Sequence, residues 1–276
     1  MENLLFGTAG IPHSASAKST VSGIERIADL GLGCMEVEFV HGVKMSETGT
    51  RPVKETAAAT GVKLSAHAPY YINFNAHDLE KIRASQERLL QTARIAWMCG
   101  AGNAVFHPAF YLGDSPEKTY DTVKKYLGEV LAELREEKNE IWVRPEVMGK
   151  PSQFGTVSEL LKLSSELEGL VPCIDFSHWH ARNQGCNSYT EFIAVLNQIE
   201  ESLGRVALDN MHIHVSGIAY GEKGERKHLN FKDSDFNYTD LLKAFRDYEI
   251  KGTIICESPD LEEGALLLQE TYAKLA

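Results

Sequence analysis

Leu64-Ser65-Ala66-His67-Ala68-Pro69-Tyr70 is a short apolar run that ends in a histidine and is broken two residues later by a proline. The same form returns along the chain. Val105-Phe106-His107-Pro108 ends in His107, Val143-Arg144-Pro145-Glu146 in Glu146, and Ile254-Ile255-Cys256-Glu257 in Glu257. Asp175 ends a further run, with His178 three residues on, and His212 and His214 alternate along another. Two more runs, at 4–7 and 34–39, bring the number of strand-like segments to eight; the others fall at 63–67, 104–107, 141–146, 172–175, 211–215 and 253–257. Short runs rich in Val, Ile, Leu and Phe are expected where both faces of a parallel strand are buried.

Between these runs lie helix-length segments such as 77–99, 116–137 and 158–167, whose apolar residues recur every three or four positions. Gly31, Gly61, Gly100 and Gly252 read as helix C-caps ahead of the next strand. Parallel strands need a helical crossover, so eight alternating pairs make an α/β fold, and the expected architecture is a (β/α)8 TIM barrel. A length of 276 residues suits one such domain over residues 1–276. The two longest stretches without periodicity, 178–188 and 216–235, both follow strands and read as functional loops.

In a barrel, the C-terminal ends of the strands converge on one face. Six successive strands thus deliver a His, Asp or Glu to one place, and so many ionisable groups are costly together unless something neutralises them. Divalent cations do this, accepting neutral imidazoles and deprotonated carboxylates side by side. The imidazole-rich donor set favours Zn2+, with Mn2+ or Fe2+ as substitutes. More than one ion is expected, because four ligands normally satisfy a zinc. His13, His41, His77 and His180 read as ordinary hydrogen-bonded histidines. Glu36 and Glu38 share a strand face, pointing one of them into the mouth or leaving it solvated or salt-bridged. Arg144 and Lys227 are candidate phosphate contacts.

The formal net charge of −11 argues against non-specific binding to nucleic acid, although bound cations would reverse the local field. Five widely spaced cysteines without a CxxC pair suit a reduced cytoplasmic protein. No run approaches the ~18 apolar residues of a membrane span, and no secretory signal is visible in the N-terminal stretch.

The order and spacing of His67-Ala68-Pro69-Tyr70-Tyr71-Ile72-Asn73, Phe106-His107-Pro108, Cys173-Ile174-Asp175-Phe176-Ser177-His178 and Glu257-Ser258-Pro259 resemble the endonuclease IV family of apurinic/apyrimidinic endonucleases. The resemblance spans nearly the whole chain and implies three zinc ions. By it, His67 and His107 hold the first, Glu146 bridges the first to the second, and Asp175, Glu257 and a strand-seven histidine complete the second. His178 and His228 hold the third. His214 is preferred to His212 on strand seven because it lies nearer the C-terminal end, which leaves His212 one layer deeper.

Tyr70 and Asn73 would contact substrate, which the resemblance implies is damaged double-stranded DNA, cut 5′ to the abasic site by a monomer. Two features depart from the family. Arg226 stands where an Asp is expected two residues before the last histidine, with Glu225 beside it to substitute after a small loop shift. The segment Phe6-Gly7-Thr8-Ala9-Gly10 lacks the family's first-strand histidine. The alternative is a metal-dependent sugar isomerase or epimerase of a related barrel class, which keeps a carboxylate or lysine free for proton transfer.

Overall fold

The computed structural model describes residues 3–275. Eight parallel strands form the barrel: β1 (Leu4–Ala9), β2 (Cys34–Glu38), β3 (Lys63–His67), β4 (Asn103–Phe106), β5 (Trp142–Pro145), β6 (Cys173–Asp175), β7 (Met211–Val215) and β8 (Gly252–Cys256). Their order is β5-β4-β3-β2-β1-β8-β7-β6. The ends of this sheet, β5 and β6, are joined by two isolated bridges, Val143 to Leu170 and Glu146 to Cys173. The expected strands match these to within two residues at each end.

Crossover helices pack outside the sheet: α1 (Thr20–Asp29), α2 (Glu47–Thr60), α3 (Leu79–Met98), α4 (Pro116–Glu136), α5 (Val157–Glu166), α6 (Phe176–Arg182), α7 (Tyr189–Leu203), α8 (Arg205–Leu208), α9 (Tyr238–Asp247) and α10 (Glu262–Lys274). Ser19, Ser46, Asp78 and Ser115 each accept a backbone N–H at the start of α1 to α4, which removes one orphan donor per helix. Among the described residues, no helix is long and apolar enough to cross a membrane.

Three expectations need correction. The stretch 178–188 is not all loop, since α6 covers its first part. A seven-residue helix is too short to display a period, and its signal is Asp175, whose Oδ1 accepts the His178 N–H at 2.7 Å as an N-cap. The stretch 216–235 is largely a β-hairpin, Gly217–Gly221 paired antiparallel with Gly224–Leu229. Gly252 is no helix cap but the first residue of β8. A Cβ there would lie 1.9 Å from the Met211 carbonyl oxygen, so its role is close strand approach.

The barrel interior carries an unusual filler. Arg144 is fully buried on β5, donating to Asn103 Oδ1 (2.7 Å) and to the carbonyls of Pro172 (3.3 Å) and Asn210 (3.0 Å). Burial lowers its pKa to about 10. Those three bonds hold it below the mouth, so it is not the phosphate contact its charge suggested.

Candidate metal centre

Glu146 follows β5 directly, and its amide donates to the Phe106 carbonyl at 3.0 Å, which aims the side chain across the mouth. Its two oxygens face different neighbours. Oε2 lies 3.1 Å from His67 Nε2 and 3.3 Å from His107 Nε2. Oε1 lies 3.0 Å from His178 Nδ1 and 3.8 Å from His214 Nδ1. His214 Nδ1 is also 3.4 Å from Glu257 Oε1. Asp175 keeps Oδ1 on the α6 cap and turns Oδ2 to within 3.1 Å of His178 Nδ1.

Four groups of donors result, within each of which the ligand atoms lie within 4.8 Å of one another: His67, His107 and Glu146; Glu146, Asp175, His214 and Glu257; His178, Glu225 and His228; and, one layer deeper, Cys173, His212 and His214. Glu146 belongs to the first two. A carboxylate with a separate oxygen for each of two neighbouring groups can bridge two ions.

The third group depends on the hairpin. Glu225 and His228 are three residues apart, and on a regular strand they would face opposite sides. Here His228 pairs with Ile218, Lys227 with Ala219 and Glu225 with Tyr220, so Arg226 is an extra residue without a partner across the ladder. Such a bulge rotates the strand locally and lets both donors face α6. Glu225 Oε2 and His228 Nε2 each lie 3.5 Å from His178 Nε2.

Gly149 makes room for this arrangement. A Cβ on it would fall 2.7 Å from Glu225 Cβ and 3.1 Å from the His178 ring, while its carbonyl accepts the Glu225 N–H at 3.0 Å. Glu225, not Arg226, is thus the hairpin side chain that faces His178.

Backbone carbonyls set several of the imidazoles. A carbonyl can only accept, so a ring nitrogen bonded to one carries the proton and leaves the other nitrogen bare in the neutral ring. Nδ1 of His67 lies 2.7 Å from Ala68 O, Nδ1 of His178 3.0 Å from Val147 O, and Nδ1 of His228 3.3 Å from Glu257 O. All three rings therefore offer Nε2 to the centre. His214 is turned the other way, with Nδ1 toward Glu146 and Glu257 and Nε2 3.0 Å from Glu36 Oε1.

Charges in this metal-free arrangement compete strongly. Burial opposes ionisation of Glu146, but His107, His178 and His214 outweigh it and hold the carboxyl well below its usual range. Burial raises Asp175 to about 8 against the pull of His178, with Glu257 and Glu146 adding to the rise. Burial alone would depress His67, yet Glu146 lifts it to about 9.

Asp175 Oδ2, His214 Nδ1 and Glu257 Oε2 are buried and have no aligned hydrogen-bond partner. Unpaired donors and acceptors of this kind cost free energy when buried. A cation coordinated by them would remove that cost, and the mixed imidazole–carboxylate set suits a divalent ion.

The other expected residues are placed less uniformly. Tyr70 is half exposed and stacks on the His107 ring at 5.3 Å, so it borders the mouth. Asn73 uses its side-chain oxygen to accept the Asn75 and Phe110 amides, at 3.1 and 3.2 Å, and so braces the loops after β3 and β4. His212 lies beneath the centre, its Nε2 2.9 Å from Glu36 Oε2 and its Nδ1 2.7 Å from Thr253 Oγ1. Lys227 is exposed on the hairpin. His180 is fully buried between Cys186 O and Asp235, and His77 pairs with Asp114, both away from the donor groups.

Two carboxylates are more central than the sequence indicates. Glu36 is fully buried under the centre. Glu38 turns Oε1, buried and without a partner, into the mouth, and burial raises it to about 8, with His67 pulling down and Glu36 and Glu257 pushing up. Their even spacing on β2 was the available signal, but it does not tell an inward face from an outward one.

The family model of the xylose isomerase-like TIM barrel matches residues 24–275. The chain belongs to this family. A protein of Methanocaldococcus jannaschii described as uncharacterised is 45% identical over 273 residues, covering 99% of this chain and 98% of that one. A probable endonuclease 4 of Mycoplasma pneumoniae is 26% identical over 199 residues, 70% of this chain and 67% of its own.

Among solved structures, endonuclease IV of Thermus thermophilus superposes with a TM-score of 0.73 at 18% identity, over 97% of this chain and 98% of its own. A D-tagatose 3-epimerase-like protein superposes with the same TM-score and identity, over 97% and 96%. At that identity the likeness concerns the fold.

Proposed function

We propose that this family member is a metal-dependent phosphodiesterase acting on DNA, of the endonuclease IV type, cutting 5′ to an abasic site. The observation that carries the reading is the set of three donor groups joined through Glu146. His67, His107 and Glu146 would hold one ion, Glu146, Asp175, His214 and Glu257 a second, and His178, Glu225 and His228 a third; zinc is the expected metal, with Mn2+ or Fe2+ as substitutes. Bound there, such ions would supply Lewis-acid polarisation of a phosphoryl oxygen and activation of water near neutral pH.

The chain's own residues do the rest. Glu146 would fix the spacing of the first two groups and, as an ionised carboxylate with one oxygen toward each, help orient the nucleophile between them. His178, Glu225 and His228 form a flank of the mouth where charge on a departing 3′ oxygen can be neutralised. Tyr70, half exposed on the His107 ring, offers an aromatic face to the sugar or base beside the scissile bond.

A sugar isomerase or epimerase is the second reading, favoured by one feature. Glu38 turns a buried carboxyl oxygen without a partner, Oε1, into the mouth, and hydrolysis needs no such group, whereas moving a proton on carbon does. The deciding experiment incubates metal-analysed protein with a duplex holding one abasic analogue, with and without prior chelation. Incision lost on chelation and restored by zinc or manganese supports the nuclease. Intact duplex with two or more ions bound overturns it in favour of the isomerase.

A further inference from the structure

His67, His178 and His228 are oriented by carbonyls, which any backbone supplies. His214 is oriented by a side chain. Its Nε2 lies 3.0 Å from Glu36 Oε1, a buried ion-pair contact that is not aligned as a hydrogen bond in the metal-free arrangement, and Glu36 is in turn held from below. Oε2 of Glu36 accepts from Ser65 Oγ at 2.6 Å and meets His212 Nε2 at 2.9 Å, while His212 Nδ1 rests on Thr253 Oγ1 at 2.7 Å.

Every side chain in this column is buried, with Glu36, His212 and His214 at 0% exposure. Cys173 shares the layer, with a donor atom within 4.8 Å of those of His212 and His214. The column begins on β2, crosses the interior to β7 and ends on β8, and its top atom is His214 Nδ1 in the donor group with Glu146, Asp175 and Glu257.

We infer that Glu36 is a positioning residue: it selects Nδ1 of His214 as the nitrogen presented to the centre and holds that ring in register with Glu146 and Glu257. Imidazole has two candidate ligand atoms, and the partner of one decides the role of the other. A carboxylate under Nε2 retains the proton there and strengthens electron donation at Nδ1. Ser65, His212 and Thr253 keep Glu36 from swinging away. The consequence is selective. One donor group depends on Glu36, whereas the groups built on His67 with His107 and on His178 with His228 do not.

This inference rests on the metal-centre reading, and its test separates the two. Zinc is titrated into wild-type protein and Glu36→Gln against a competing chelator, with the fold checked by thermal denaturation. Wild type is expected to bind at least two ions. In the variant one ion is expected to weaken about 10–100-fold, the range for removing a carboxylate behind a ligating histidine, while the others keep their affinity.

Long-range 1H–15N spectra of zinc-loaded wild type are expected to show His214 bound through Nδ1 and protonated at Nε2. Should Glu36→Gln fail to fold, Ser65→Ala loosens the same carboxylate with little change in volume and is expected to weaken the same ion several-fold. Unchanged affinity in the variants, or zinc on Nε2 of His214, overturns the inference alone. A wild-type protein that binds no zinc, manganese or iron overturns the metal centre itself.

Discussion

The two flanks of the centre are held by different means. On one, His67, His107, Glu146, Asp175, His214 and Glu257 stand at the ends of β3 to β8, placed by the register of a parallel sheet. On the other, His178 rides on the seven-residue α6, and Glu225 and His228 on a hairpin whose aim depends on one bulged residue. Strand ends leave little freedom, because shifting one donor means shifting a ladder. A bulged hairpin leaves more, since Glu225 and His228, three residues apart, share a face only because the ladder passes over Arg226. The hairpin flank also holds one of the two departures from the resemblance, with Arg226 where an Asp is expected and Glu225 beside it facing His178.

Glu146→Gln should erase the contrast, because Glu146 joins two donor groups and contacts His178 of the third. Turnover on the true substrate should fall by at least ~10²–10³-fold, the scale for one preorganised electrostatic group, with the melting curve still cooperative. Wild-type rates in this variant would end the bridging assignment. Glu225→Ala should sharpen the contrast instead: one ion should weaken ~10-fold or more by the scale of lost ligand support, the strand-borne ions staying in place. Equal losses at all ions would show that the two flanks are not independent.

A smaller effect comes from pH. In the metal-free protein Glu146 outweighs burial to hold a proton on His67 up to about 9, and burial holds protons on Asp175 and Glu38 up to about 8. In the unfolded chain these groups titrate near ~6.5 for histidine and ~4 for carboxylates. Each binds more protons folded than unfolded, so stability declines as pH rises. The His67 contribution is complete below ~6.5 and is lost through about 9; the carboxyl contributions begin to fade above ~4 and are gone past about 8. Chelated protein should therefore melt at progressively lower temperature between pH 6.5 and 9, by about 2–4 °C for each kcal/mol. Metal-loaded protein should show a flatter profile, and identical slopes would mean that no ion takes the place of those protons.

The same division explains what could be read from the sequence. Strand-end donors announce themselves, because an apolar run that stops at His67, His107 or Asp175 states both the element and its end. The outer flank is hidden. Seven residues of α6 show no period, and Gly-Glu-Arg-Lys-His at 224–228 gives no sign that its third residue is passed over by the ladder. Glu36 and Glu38 are left open for another reason. Alternation along β2 groups them on one face but does not choose between inside and outside, a choice made by neighbouring strands. Arg144 misleads by composition, since a buried guanidinium satisfied by carbonyls looks the same on paper as one reaching for phosphate.

β5 and β6 are neighbours in sequence, yet they are the two edges of the sheet, and two bridges join them. Glu146 stands on one side of that junction and Asp175 on the other. An ion shared by the pair would act as a clasp on a band that backbone bonds fasten loosely, and the mouth would stiffen or slacken as the clasp closed or opened. Occupancy of the centre would then be felt as a mechanical property of the barrel, in the breathing of its least-fastened edge.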